Sequence, residues 1–229
     1  GDAYHVSGIA WRGLRGRPVG RAPESGETFA PCAAAALYDR AMFERVGGFD
    51  ERFFAYHEDV DLAFRMRLAG ARALQVQEAR VWHVASGAPG KASALAVRLG
   101  TRNRIWTFVK DMPGWLVWGL SPLHAAAVVF SLLRDMRRGR GAAALAGIGE
   151  ALAGLGEVWE ARQATQRQRT ARIVDVLRAM TLSPLPLLRT GSDVRPWRRR
   201  GVISACRRSG LKGTAILPPK SGTPRGSLC

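Results

Sequence analysis

The chain has 229 residues, with 35 Lys and Arg against 18 Asp and Glu and a formal net charge of +17. That length holds one ordinary domain with appendages or two small ones, and a 47% hydrophobic composition excludes wholesale disorder. So basic a balance points to a polyanionic partner, whether anionic lipid, nucleic acid or a phosphorylated substrate, while the widely spaced Cys32, Cys206 and Cys229 argue against a disulfide framework and favour a reducing compartment.

The N-terminus opens in polar sequence without a signal segment or an initiator Met, which suggests a fragment with more chain upstream. A short strand is expected around Val6–Trp11, within a Gly- and Arg-rich irregular stretch that reaches residue 28. Thr28–Tyr38 is small and apolar and reads as a buried strand or close-packed segment. Asp39 is placed to cap a helix over Arg40–Val46, with Met42, Phe43 and Val46 on one face and Gly47-Gly48 as its stop. The next helix starts at His57–Asp59 and closes at Gly70; Val60, Phe64 and Leu68 form its apolar stripe, with Ala63 beside them, and Arg65 and Arg67 lie on what reads as an amphipathic helix. Arg72–Val76 and Arg80–Val84 read as strands, with His83 near the end of the second, and Ser86–Gly90 as a turn. Ala92–Val109 returns to a helical pattern and carries a basic patch of Arg98, Arg102 and Arg104 around Asn103.

Gly114–Leu133 then runs for twenty residues without a formal charge, long enough to cross a bilayer. Trp115 and Trp118 at its start suit an interfacial position equally, and the basic run Arg134–Arg140 would sit against anionic headgroups. A buried helix pair broken at Pro122 is the third option. Gly141–Met180 reads as two amphipathic helices lying on a surface, and from Ser183 the pattern dissolves into Pro, Gly, Ser and Arg. The expected division is therefore 1–112, a membrane-associating helical region over 113–182, and a disordered basic tail over 183–229. There is no internal repeat.

Chemistry concentrates in Glu58, Asp59 and Asp61, within GGFDERFFAYHEDVDLAFRMRLAG. A helix N-terminus favours the carboxylate form, and a carboxylate at a cleft rim can take a proton from an attacking hydroxyl. The plainer alternative is structural: Asp59 as an N-cap and Asp61 pairing with Arg65 one turn on.

That stretch resembles the acceptor-side signature of family 2 glycosyltransferases, the rhamnosyltransferase-like group in particular, with its Gly-Gly-Phe-Asp-Glu, Phe-Phe, Glu-Asp-x-Asp-Leu, Arg and Gly in this order. CAAAALYDRAMFERV upstream, and VWHVASGAPG and RLGTRNRIWTFVKDMP downstream, resemble the flanking segments, so the likeness covers roughly Val6 to Pro113. It implies an α/β fold: the acceptor half of an incomplete GT-A (Rossmann-like) domain, followed by apolar and amphipathic helices and the basic tail. It further implies inverting transfer from a nucleotide-sugar donor to a cell-envelope or lipid-linked glycan at the cytoplasmic face of the cell membrane. In that family Asp59 matches the catalytic base. Glu58 would be an acceptor-contact or supporting residue, with Asp61 and Arg65 bracing the helix. His83 corresponds to a residue that joins the divalent metal (Mg or Mn) or contacts the diphosphate. Arg102 and Asn103 would contact acceptor phosphate or donor, with plain surface solvation as the alternative. The family's Asp-x-Asp metal motif should precede these motifs, and nothing before Gly47 supplies it.

Two other classes compete. A non-enzymatic membrane-surface adaptor would keep the fold without the chemistry. Nucleic-acid binding would use the charge through counterion release, but no recognised motif accompanies it and the aromatics do not interleave with the arginines.

Overall fold

The N-terminal residues fold as a hairpin rather than as one strand over Val6–Trp11. In the computed structural model, which describes residues 1–14, 25–79, 81, 93–185 and 191–196, β1 (Asp2–Tyr4) pairs antiparallel with β2 (Ala10–Arg12), Tyr4 opposite Ala10. The turn between them falls inside the stretch whose pattern suggests a strand. Its pivot is Gly8 at φ 82°, a left-handed conformation in which a Cβ is unfavourable.

A second sheet has β3 (Gly26–Thr28) at its centre, flanked antiparallel by β4 (Ala73–Gln75) and by β5 (Arg195–Pro196). Strand β4 lies where Arg72–Val76 was expected; most of the second expected strand, Arg80–Val84, and the turn Ser86–Gly90 lie outside the described residues. Strand β5 corrects the disordered tail at this point. Glu27 pairs in register with Arg195, whose guanidinium also donates to the Met180 carbonyl at 2.9 Å. Residues 197–229 lie outside the described set. The described residues thus mix helices with two small antiparallel sheets, and the parallel strands of a Rossmann-like half are not among them.

Burial in Thr28–Tyr38 stops at Ala30. Beyond it Ala33–Ala35 forms one turn of 3-10 helix and Leu37 is fully exposed. Helix α1 (Arg40–Arg45) is capped as expected, the Asp39 carboxylate accepting from the Met42 N–H at 2.8 Å.

The core is built on α2 (Glu58–Leu68). Its stripe of Val60, Ala63, Phe64 and Leu68 is buried as the spacing requires. Phe64 meets Tyr4 and Phe29 edge-on at 5.2 and 5.1 Å, while Tyr4 and Phe29 stack at 4.9 Å, contacts worth more than their area alone. Leu62 and Ala69 pack the other way, against Val46 with Met42 and Phe43 beside it. The helix is therefore covered on both sides, and Arg65 and Arg67 are buried rather than lining a solvent face. Arg67 donates to Glu27 at 2.9 Å and to the Thr28 carbonyl at 2.8 Å.

Helix α3 (Ala94–Asp111) begins at Ser93, whose hydroxyl accepts from the Ala96 N–H at 3.1 Å. Its arginines do not form a patch. Arg98 pairs with Glu150, Arg102 reaches loop carbonyls, and half-buried Arg104 donates to the Ser131 hydroxyl at 2.9 Å. Helix α4 (Leu116–Arg137) runs unbroken through Pro122, which removes the option of two helices broken there. Gly141–Met180 holds three helices instead of two: α5 (Gly141–Ala153), α6 (Leu155–Arg167) and α7 (Ile173–Ala179). They are packed into the body of the protein. At Gly147 the α5 backbone comes so close that a Cβ would sit 2.3 Å from the Arg98 carbonyl. Arg162 of α6 donates to the Val109, Met112 and Gly114 carbonyls at 2.8, 2.6 and 3.0 Å, satisfying groups that the end of α3 leaves open. Val176 and Met180 close the core over Tyr4. Residues Gly1–Pro196 form one compact unit.

Candidate active site

The acidic cluster is presented by a strained loop. Phe53 is anchored inside, packed with Ile105 and Trp106. Phe54 then takes φ 61° and ψ −63°, and the Ala55 N–H donates to the Phe53 carbonyl at 2.7 Å. That is a γ-turn of the rare, strained hand. Tyr56 and His57 follow at φ 66° and 68°, a left-handed pair with no glycine to ease it. The surroundings hold this backbone in place. Buried Asn103 of α3 puts its Nδ2 within 2.9, 2.8 and 2.7 Å of the Phe53, Ala55 and Tyr56 carbonyls. Arg102 donates to the Arg52 and Phe53 carbonyls, both at 3.0 Å, lies over the Trp106 ring at 4.4 Å, and donates to the Asn103 amide oxygen at 2.9 Å. Both residues thus hold the loop in position.

Asp59 does not cap α2. The cap position is His57, without a side-chain bond, and Asp59 is the second helical residue. Its Oδ2 accepts from the Ala33 N–H at 3.2 Å, at the start of the 3-10 turn, and its Oδ1 from the Val60 N–H at 2.9 Å. The helix terminus does not prevail over burial here. Burial, with the charge of Asp2, raises the Asp59 carboxyl above the ordinary aspartate value against those two N–H groups. Burial raises Glu58 as well, and the Asp59 charge adds to it. Tyr38 is pushed up to about 12 by burial and by Asp59. Burial lowers His57 to about 4, with Arg104 acting in the same direction, and keeps its imidazole neutral. Asp59 is therefore a partly exposed carboxylate made more basic than usual, with an exposed aromatic, Phe54 at 79%, on the loop before it.

Asp61 has no exposure and a different fate. Arg65 pairs with it at 2.7 Å while also donating to the Val46 and Gly48 carbonyls, each at 2.7 Å. Lys110 pairs with its other oxygen and reaches Asp50 at 2.6 Å, where Arg52 also binds at 2.6 Å. Burial pushes Asp50 up, but the Arg52 hydrogen bond and the Lys110 charge outweigh it and hold the carboxylate well below its usual range. Asp111, fully buried beside Asp61, is driven the opposite way, well above the ordinary aspartate value, by burial and by the Asp61 charge. The expected brace of Asp61 with Arg65 is present, and it is one part of a larger network. The sequence assigns no role to Asp50, Lys110 or Asp111 beyond their places in the quoted motif segments. The available signal was Lys110-Asp111 next to Phe108 and Val109, a charged pair in an apolar turn.

A cleft of about 330 Å³ opens over this network, between the Gly47–Arg52 turn and α6, with Asp50, Arg65 and Lys110 in its lining. Asp59 and Glu58 do not line it. Among the described residues no three His, Cys, Asp or Glu side chains gather as metal ligands. His83 lies outside the described residues. The expected divalent metal thus finds no cage in the residues described.

Compared with known proteins, the chain matches no protein-family model and no solved structure. It is similar to two curated proteins, each an N-acetylglucosaminyl-diphospho-decaprenol L-rhamnosyltransferase of Mycobacterium tuberculosis, from strains CDC 1551 / Oshkosh and ATCC 25618 / H37Rv. Each match is 38% identical over 112 residues, covering 44% of this chain and 36% of the relative. The chain spans about a third of the length of the curated relatives it matches.

Proposed function

We propose that this chain is the acceptor-side portion of an inverting, family 2-like glycosyltransferase of GT-A fold. It would add a sugar from a nucleotide-sugar to a lipid-linked or cell-envelope glycan at the cytoplasmic face of the membrane. The observation that carries this is Asp59: a carboxylate of raised basicity, partly open to solvent, in the first turn of α2 just after a loop whose strained backbone is fixed by Asn103 and Arg102. Such a group takes the proton of an acceptor hydroxyl. The hydroxyl oxygen bonds to the anomeric carbon, and the bond from that carbon to the nucleotide diphosphate breaks on the opposite face. The similarity to two rhamnosyltransferases whose names specify a diphospho-decaprenol acceptor supports the lipid-linked class.

The test is Asp59→Asn in the enzyme that carries its donor-binding part. Turnover should fall by about 10²–10⁴-fold, the usual contribution of a general base, while nucleotide binding and the melting transition persist; full turnover would dismiss Asp59 as the base. A non-catalytic adaptor is the second reading, favoured by one observation, that both Asp59 oxygens already accept backbone N–H groups. Measurable transfer that depends on Asp59 rejects it.

A further inference from the structure

Helix α4 is turned the wrong way for a helix in water. Up to its last turn, its polar side chains face the protein. His124 is buried, with Nδ1 donating to the Ser7 carbonyl at 2.8 Å and its ring stacked on Phe108 at 4.0 Å. Ser131 is buried and accepts from Arg104 at 2.9 Å, and Asp135 pairs with Arg140 at 2.6 Å. The outer face is the apolar one. From Trp118 to Leu133 every exposed residue is Trp, Gly, Pro, Leu, Ala, Val or Phe, and Val129, Phe130 and Leu133 are 53, 60 and 50% exposed. Soluble helices show the reverse order, and a contiguous exposed apolar face marks an interaction surface. Trp115 and Trp118 lie exposed at one end of it, and Arg134, Arg137 and Arg138 are exposed at the other.

We infer that this face of α4 lies in the plane of a bilayer surface and seats the protein on anionic lipid, without crossing the membrane. The apolar stripe enters the acyl boundary, while the C-terminal arginines reach phosphate headgroups, the combination that holds interfacial helices. Crossing is incompatible with what packs against the inner face. A spanning α4 would carry the hairpin turn at Ser7 and the Arg104 guanidinium into hydrocarbon, where open backbone groups and charges are expensive. A second copy of the chain would cover the apolar residues equally, but it would place the arginine clusters of two chains near one another. Lipid phosphate is the partner whose charge fits. This deepens the membrane placement proposed above and is read without turnover, so that either idea can fail alone.

The test uses the whole chain and sedimentation with vesicles of neutral phosphatidylcholine, with and without phosphatidylglycerol. The parent should pellet with the anionic vesicles, and alkaline carbonate should strip it off. Replacing Val129, Phe130 and Leu133 together by Ser should weaken binding by about tenfold or more, from the apolar area lost. These side chains are solvent-facing, so the melting transition should be retained, and a single Leu123→Asp variant gives a second readout. Binding unchanged by both variants would overturn the inference and assign attachment to the basic C-terminal residues. Resistance to carbonate would overturn the in-plane placement. No vesicle binding, with a dimer that the Ser variant dissociates, would replace the membrane by a second copy.

Discussion

Asp59 and Asp61 stand two positions apart on one helix, and their surroundings give them opposite work. Asp61 sits between Lys110 and Arg65 with no exposure. Asp61→Asn leaves those cations facing each other over one fewer charge, and breaking a buried pair from one side costs about 3–5 kcal/mol. A denaturant titration should show that loss, whereas Asp59→Asn should not. The sign at Asp59 follows from its raised carboxyl. A carboxyl whose folded pKa is raised favours the fold while it is protonated, below its unfolded value, and that contribution is lost as pH rises through the raised value. At Asp59→Asn the relief of a buried charge is set against the loss of one of two accepted N–H bonds, so turnover should be lost without the large destabilisation expected of Asp61→Asn. Because the base must be ionised, turnover of the parent should fall as pH drops through the raised value. The acid limb of the rate profile should sit above the range of an ordinary aspartate, and a limb at or below that range would contradict the assignment.

At the scale of elements, the loop before α2 depends on one amide. Asn103→Ala removes the donor that serves three carbonyls and should cost about 1–3 kcal/mol, the penalty for leaving buried acceptors unmet. Hydrogen exchange at residues 54–58 should accelerate well beyond that of the α2 interior; unchanged exchange there would mean the γ-turn is held by something else. Local features of this kind divide by legibility. The α2 stripe, the Asp39 cap and the start and end of α3 follow from spacing within a few residues, so the sequence carries them. The Phe54 turn does not, because Phe is not a turn former and the reason for its geometry, Asn103, stands 49 positions on. Twenty uncharged residues show that α4 is apolar, but which side faces out is decided by Ser7 and Arg104, both distant in sequence. The Asp61–Arg65 pair was legible from its one-turn spacing; Lys110 was not, since a lone lysine in a helix ordinarily faces water.

At the scale of the whole molecule, the last described residues return to the first. Thr181 bridges His5, Trp11 donates to the Gly191 carbonyl 180 positions away at 2.9 Å, and β5 completes the sheet on β3. Two truncations, one after Pro196 and one after Leu182, isolate this return segment. The shorter loses β5, the Trp11 bond and the Arg195 bond to Met180, about 3–5 kcal/mol at about 1 kcal/mol per hydrogen bond. Equal melting of the two truncations would show that the return segment is decorative. The same closure has a meaning for the chain as it is made. Ribosomes add about 5–20 residues per second, so the Trp11 indole waits roughly 10–35 seconds for its acceptor to be synthesised. Through that interval Tyr4, Phe29 and Phe64 form a core still lacking Val176 and Met180, beside an unpaired β3 edge of the kind that invites association. Slowing synthesis over residues 30–170, which prolongs that exposure, should therefore lower the soluble yield more than slowing it after residue 196.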